Sequence, residues 1–440
     1  MNSPDPRLLA RLRDALSTGR DGDAEAIAEA ILARSPGHAP TLAALSLRAR
    51  LRGDLDRAKA LAHRGLGHEP HASLLLFHLG AAHEAAGEPA QAESALRSAI
   101  EADADNALAR FWLGGVLQRA GRGDDAVSAW MQALARGERS GFLRAMANGP
   151  NEVRQRIDAA RAAVLAARSK ALDGALRPLR ERHGAAAIER IERAFAGHRG
   201  GDAPQPTHAL QQPSFLFVPG LPDKPWRERG EFPFLESIEA QADAIREELL
   251  AVLVDDGALA PYVDMPDDAP AAPMWRTLNR SPSWSGYHLY RHGERIEAHA
   301  RRCPRTMAAL DALPLLRIPG HGPEALFSVL RPGTHIPPHT GVINGRLTVH
   351  LPLIVPPDCG ALAVAREPRA WTEGECLVFD DSFVHEAWNR SDHTRVVLIF
   401  DAWNPDLAPA EREALSAGIA AIGDFHRRHG GADPMREDSH

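Results

Sequence analysis

Arg-Leu-Thr-Val-His-Leu-Pro-Leu-Ile-Val, residues 346–355, decides how the second half of this chain folds. Side chains alternate faces along a strand, so Arg346, Thr348 and His350 share one face while Leu347, Val349, Leu351 and Leu353 share the other. A polar face opposite an all-aliphatic one predicts a sheet with its core on one side and a wet pocket on the other. Strand-like stretches lie around it at 215–218, 326–330, 361–365, 376–379 and 395–402, separated by Pro, Gly and Asp turns. This spacing predicts a β-sandwich or barrel of jelly-roll type. Among them, residues 234–254 carry Ile238, Ala242, Ile245 and Leu249 on one side and predict a helix.

The same alternation gathers chemistry. Arg395, Val397 and Ile399 share a face of the strand after His385, so His339, His350, His385 and Arg395 are expected to converge on one cavity. Two imidazoles brought together by a barrel can hold Fe(II) and leave several coordination positions open. Those positions matter because a keto-acid and O₂ must bind the same metal. The guanidinium of Arg395 can hold the far carboxylate of 2-oxoglutarate by two parallel hydrogen bonds, a more orienting contact than lysine would make. Ser328 can add a hydroxyl to that carboxylate, and His350 can donate to the carboxylate near the metal. The general two-histidine-one-carboxylate arrangement fails at one point: the acid expected two residues after His339 is Gly341. Asp380 reads as a turn-former. Asp381 reads either as a turn-former or as an acceptor that orients His385.

The departure at Gly341 is where a resemblance enters. Phe-Ser-Val-Leu-Arg-Pro-Gly-Thr-His-Ile-Pro-Pro-His-Thr-Gly (327–341) resembles the aspartyl/asparaginyl β-hydroxylase family. So do Arg-Leu-Thr-Val-His-Leu (346–351), Phe-Asp-Asp-Ser-Phe-Val-His-Glu-Ala-Trp (379–388) and Asp-Ala-Trp-Asn-Pro-Asp-Leu (401–407). Upstream, Leu-Pro-Asp-Lys-Pro-Trp (221–226) and Trp-Ser-Gly-Tyr-His-Leu-Tyr (284–290) fit as well, and the likeness spans roughly 215–408. The resemblance implies a double-stranded β-helix (cupin-like) fold and iron held by two histidines, with water completing the shell. It matches His339 and His385 to the metal ligands and Arg395, Ser328 and His350 to the 2-oxoglutarate contacts. Where the animal enzymes carry basic residues facing an acidic substrate, this chain has Leu326 and Thr348. Either Arg346, beside Thr348, supplies the cation for an aspartyl or asparaginyl residue, or the substrate is something else.

The first third repeats at a spacing of 34. Pro36 and Pro70 start two units, Gly80 and Gly114 fill a small position between paired helices, and Gly53, Gly87 and Gly121 each end a first helix. Ala58, Ala92 and Ala126 mark the start of the second. Period and pattern resemble tetratricopeptide repeats, with copies at 36–69, 70–103 and 104–137 and a degenerate copy or capping helix before them. Such arrays commonly offer a concave face to a protein or peptide; oligomerisation or spacing are the other uses. Val153, Ile157, Ala160 and Val164 continue a helical stripe, and the Gly- and Pro-rich run from Gly200 to Gln212 reads as a linker. The expected layout is α+β and multidomain. A tetratricopeptide solenoid (1–150) and a helical connector and linker (151–212) precede a dioxygenase domain (213–408) and a C-terminal helix and polar tail (409–440).

Composition sets bounds on partners. The 440 residues carry a formal charge of −7, which gives no general attraction to nucleic acid. No apolar run suits a membrane span, the N-terminus lacks a signal-peptide core, and three scattered cysteines suit a reducing cytoplasm. The expected activity is C–H hydroxylation by an Fe(II)- and 2-oxoglutarate-dependent dioxygenase, first of all β-hydroxylation of an aspartyl, asparaginyl or other residue in a peptide or protein presented by the repeats, with a small or lipid-linked molecule as the alternative substrate. Two rivals stand beside it. One is a halogenase, since glycine in place of the acid leaves room for halide; the other is a repeat adaptor whose barrel no longer binds metal.

Overall fold

The computed structural model describes residues 5–254, 259–267, 271–431 and 433. They form two compact units, one of residues 5–167 and 428–431, the other of 168–427 and 433.

The first unit is a series of helical hairpins: α1 (Pro6–Ser17) with α2 (Asp21–Arg34), α3 (Ala39–Leu51) with α4 (Leu55–Leu66), α5 (Ser73–Ala85) with α6 (Pro89–Ala102), and α7 (Ala107–Arg119) with α8 (Gly123–Arg139). From α3 onward, first helices begin at 39, 73 and 107 and second helices at 55, 89 and 123, steps of 34 throughout. Gly53, Gly87 and Gly121 sit between the paired helices at φ +81°, +74° and +76°, the left-handed turn that L side chains rarely adopt. Gly19, at φ +70°, extends the series by one more step, so the segment before residue 36 is itself a hairpin. Small residues let the helices touch. A Cβ on Gly80 would lie 2.7 Å from Leu96 Cγ, and one on Gly114 would overlap the Trp130 indole. Ala58, Ala92 and Ala126 are fully buried at the facing positions.

A long helix, Asn151–His183, then a shorter one, Ala185–Ala194, follow. The strands of the second unit come next: β1 (Trp226–Arg227), β2 (Ala260–Pro261), β3 (Trp284–Arg291), β4 (Glu294–Arg295), β5 (Ala325–Leu330) and β6 (His335–His339). After them come β7 (Arg346–Ile354), β8 (Leu362–Val364), β9 (Glu367–Arg369), β10 (Leu377–Phe379), β11 (His385–Trp388) and β12 (Arg395–Trp403). An eight-stranded sheet runs β1-β10-β7-β12-β5-β3-β2, with β4 paired to β3, and a four-stranded sheet runs β6-β11-β8-β9. All pairings within both sheets are antiparallel.

The alternation along 346–354 works as expected. Leu347, Val349, Leu351 and Leu353 join Phe327, Val329, Val396, Leu398 and Phe400 in one core with the helices Ala242–Leu253 and Pro304–Asp311. On the opposite face, Trp284, Leu330 and Val397 of the large sheet pack with Ile336, Leu362, Val364 and Ala387 of the small one. Two sequence expectations are corrected. The helix expected over 234–254 is two pieces, Leu235–Glu239 and Ala242–Leu253. Residues 215–218 form no strand; their pairing is a single parallel bridge between Leu216 and Ile343, because Val218 is instead held by the Asn344 side chain. Pro409–Arg428 is the C-terminal helix, and the polar tail expected after it lies, from 434 on, outside the described residues.

Candidate active site

The pairing of β6 with β11 puts His339 directly opposite His385. Their ring centroids are 4.1 Å apart, as cross-strand neighbours on one face of a sheet should be. Each ring is fixed by its own chain: His339 Nδ1 lies 2.8 Å from Pro337 O, and His385 Nδ1 lies 2.9 Å from Phe383 O. A carbonyl oxygen can only accept, so Nδ1 carries a proton in both, and in a neutral ring Nε2 is then a lone pair. Burial depresses the His385 proton affinity to a pKa of about 4, so this ring is neutral near pH 7.

The large sheet supplies the other groups. Ser328 pairs with Val397 and with Gly286, and Ile399 pairs with both Leu326 and His350, so these positions share the face toward the small sheet. Arg395, only 1% exposed, has Nε and Nη1 buried without a hydrogen-bond partner. Burial lowers its pKa to about 10, so it stays protonated near pH 7. Among the described residues no carboxylate pairs with it. Ser328 Oγ accepts the Trp284 indole N–H at 3.1 Å, which leaves the hydroxyl's own hydrogen for another acceptor. His350 is held well below its ordinary pKa by burial first, then by the charges of Arg395 and His385. Phe379 bridges the clusters, its ring 5.2 Å from His350 and 5.5 Å from His385. Beside His339 stand Trp275, at 5.2 Å and edge-on, and Trp284, at 6.4 Å.

Gly341 has a physical reason to be glycine. A Cβ there would overlap the carboxylate of Asp381. The acid missing at 341 is therefore present in space, contributed from the loop before His385. Arg346 Nη2 donates to Asp381 Oδ2 at 2.6 Å and Thr348 Oγ1 donates to the same oxygen at 3.2 Å, while Oδ1 is buried without a partner. Arg346 also lies 3.9 Å from Asp401. So Arg346, the cation read as open to a substrate, and Thr348, which stands at a substrate-facing position of the resemblance, both reach Asp381.

The neighbouring acid plays another part. Asp380 Oδ1 accepts the Ser382 N–H at 2.9 Å, a local turn, and Oδ2 accepts Gln211 Nε2 at 3.1 Å. Burial pushes its pKa from the ordinary 3.8 up to about 8. As pH rises from about 4 to about 8 the unfolded chain gives up a proton that the fold retains, so stability drains across that window and levels off above it. Asp380→Asn keeps the turn, and a flipped Gln211 can offer its unpartnered Oε1 to the new amide. The variant is expected to match wild type at pH 4 and exceed it at pH 8 by on the order of 1–3 kcal/mol. Thermal melts at pH 4, 6 and 8 check this, with Asp401, raised by burial to about 7, retaining part of the slope.

His335 and Glu386 pair with each other at 2.7 Å on the exposed side of the same strands, apart from this cluster. Asp381, readable as a turn or as an acceptor orienting His385, instead takes Arg346 and Thr348 on its carboxylate, while Phe383 O orients the ring. Trp371, between β9 and β10, sits in no periodic pattern and carried no sequence signal of a role.

The comparisons with known proteins fall among the hydroxylases. Residues 239–405 match the family described as aspartyl/asparaginyl beta-hydroxylase. The mouse aspartate beta-hydroxylase domain-containing protein 1 is 33% identical over 293 residues, covering 65% of this chain and 77% of that protein. The chain belongs to the aspartyl/asparaginyl β-hydroxylase family. The human aspartyl/asparaginyl beta-hydroxylase is 34% identical over 48% of this chain, and the aligned part is 26% of its own length. The ornithine lipid ester-linked acyl 2-hydroxylase of Rhizobium tropici is 36% identical over 43% of this chain and 64% of its own. A solved tetratricopeptide protein of Thermus thermophilus is 21% identical over 38% of this chain and 89% of its own, at a TM-score of 0.30. Among the described residues no helix is long and apolar enough to cross a membrane.

Proposed function

We propose that this chain is an Fe(II)- and 2-oxoglutarate-dependent dioxygenase that hydroxylates a C–H bond, its two sheets forming a double-stranded β-helix. The observation that carries the reading is a buried arginine that no carboxylate among the described residues pairs with, beside two histidines whose Nδ1 atoms are each held by a backbone carbonyl. A buried unpaired charge costs several kcal/mol, so the site calls for an anion. Ser328, His350 and Arg395 meet that anion as donors, which suits the two carboxylates of 2-oxoglutarate. His339 and His385 would hold the iron. Iron held there would supply the activation of O₂ needed to couple oxidative decarboxylation of 2-oxoglutarate, to succinate and CO₂, to hydroxylation of the substrate.

The protein's own part is positional. The carbonyls of Pro337 and Phe383 aim the imidazoles. Arg346 and Thr348 hold Asp381 over Gly341, leaving Oδ1 as a spare acceptor. Phe379, Trp275 and Trp284 wall the histidine pair with apolar surface that excludes bulk water.

Substrate identity follows from the same contacts. With Arg346 opposed by Asp381 and Asp401, Leu326 buried on the site face and Arg395 assigned to the co-substrate, no spare cation faces the site among the described residues. This favours a neutral, largely apolar target over an aspartyl one. The helical unit supports a peptide or protein as its carrier. Leu47, Leu74, Phe77, Leu108, Phe142 and Val153 line a cavity of about 740 Å³ there. Three buried free thiols support a reducing compartment such as the cytoplasm.

Mass spectrometry tests the whole reading. Peptide libraries and lipid extracts incubated with enzyme, Fe(II) and 2-oxoglutarate should yield a product heavier by one oxygen atom, with succinate in equal amount. Leu74→Asp, which places a charge at a 46% exposed rim residue of the cavity, should cut peptide turnover and spare that of a lipid. Absence of both succinate and product in every arm overturns the proposal.

A further inference from the structure

Trp371 is 5% exposed and touches two of the anion-binding groups at once. The guanidinium carbon of Arg395 lies 4.5 Å from its ring centroid, the distance of a cation–π contact. Its Nε1 is 3.4 Å from Nδ1 of His350. An indole nitrogen can only donate, so His350 Nδ1 must accept. In a neutral imidazole the single proton then sits on Nε2, and this ring presents a donor where the neutral His385 presents a lone pair. The three histidines of the site are thereby sorted into two kinds by what each Nδ1 meets: a carbonyl for two of them, an indole N–H for the third.

We infer that Trp371 is a positioning residue of the co-substrate site, holding His350 in the Nε2–H tautomer and covering one face of the Arg395 guanidinium. The tautomer is the decisive element. With the proton on Nδ1, His350 would turn a lone pair toward an arriving carboxylate and repel it. With the proton on Nε2, it adds a hydrogen bond to those of Ser328 and Arg395. Cation–π contact and burial keep the guanidinium planar face occupied, so its N–H edge is what remains to the ligand. Only the effect on co-substrate rests on the functional reading above; the tautomer itself does not.

The first measurement needs neither metal nor variant. In wild-type protein labelled with ¹⁵N-histidine, the His350 signals should show a protonated Nε2 and an unprotonated Nδ1, opposite to His339 and His385. Finding Nδ1 protonated in His350 overturns the inference. The second uses Trp371→Phe, which keeps the ring over Arg395 and removes the N–H. His350 should then show a mixture of tautomers, and 2-oxoglutarate should bind about fivefold more weakly by calorimetry with Mn(II) in place of iron, the weight of one ordinary hydrogen bond. Mn(II) affinity should not move. In a His350→Gln background, where the amide donates irrespective of any tautomer, Trp371→Phe should have no further effect. If wild type binds 2-oxoglutarate and Trp371→Phe binds it equally well with unchanged His350 signals, Trp371 only packs. If wild type fails to bind 2-oxoglutarate while His350 shows the expected signals, the co-substrate reading falls and the tautomer assignment stands.

Discussion

His385→Ala is expected to abolish iron-dependent succinate release and to weaken iron binding by well over 100-fold. Removing a partner that merely orients a ligand typically costs about 10- to 100-fold in metal affinity, and here half of the protein's own donor set disappears. The fold should survive. His385 makes its side-chain hydrogen bond to Phe383 O, within its own loop, and the backbone pairing of β11 with β6 and β8 does not use the ring. His335→Ala is the matched control: it removes an imidazole from the same sheet, but one paired with Glu386 on the exposed side, and activity should stay within about twofold. The comparison also decides between the rivals. Equal behaviour of wild type and His385→Ala would leave a repeat adaptor with an inert barrel. Chloride-dependent appearance of a chlorinated product would make the chain a halogenase.

Strand alternation made much of this site legible. Residues 346–354 show their two faces in the sequence because a half-buried strand must segregate polar from apolar at every second position. His339, His385 and Arg395 stand in stretches with strand character, and the structure places the two histidines opposite each other. What the sequence could not show is proximity between segments. Asp381 lies forty positions from Gly341, and nothing local says that one fills the other's missing side chain; until that contact is known, Gly341 reads as a lost ligand and Arg346 as a spare cation. Trp371 is hidden for the same reason. The break in the helix over 234–254 had no Pro or Gly to announce it. Gly19 was readable, one step of 34 before Gly53, but position 2 holds Asn where Pro36 and Pro70 start later units, so the extra hairpin lacked its other mark.

Gly341→Asp should fail even though it writes the general two-histidine-one-carboxylate pattern into this sequence. Its Cβ would overlap the Asp381 carboxylate, and neither side has room to yield. The backbone at 341 is pinned by Gly341 N donating to Asp381 O at 2.6 Å and by Ser214 N donating to Gly341 O at 3.1 Å. Asp381 is held in turn by Arg346 and Thr348. Overpacking of this kind costs about 1–3 kcal/mol, and a second carboxylate beside the first adds repulsion that one arginine cannot offset. We expect a loss of at least about 3 kcal/mol in stability and of iron binding with it. Gly341→Asp combined with Asp381→Gly is expected to behave differently, because it moves the acid from one chain segment to the other without adding atoms to the crowded space. The double variant should recover most of the melting temperature and bind iron at least as tightly as wild type, now with a carboxylate within reach of the metal. Strong non-additivity is the signature of two residues sharing one volume. Were the single variant as stable as wild type and a better iron binder, Asp381 would not occupy the space over residue 341, and the account of why this chain keeps glycine there would be wrong.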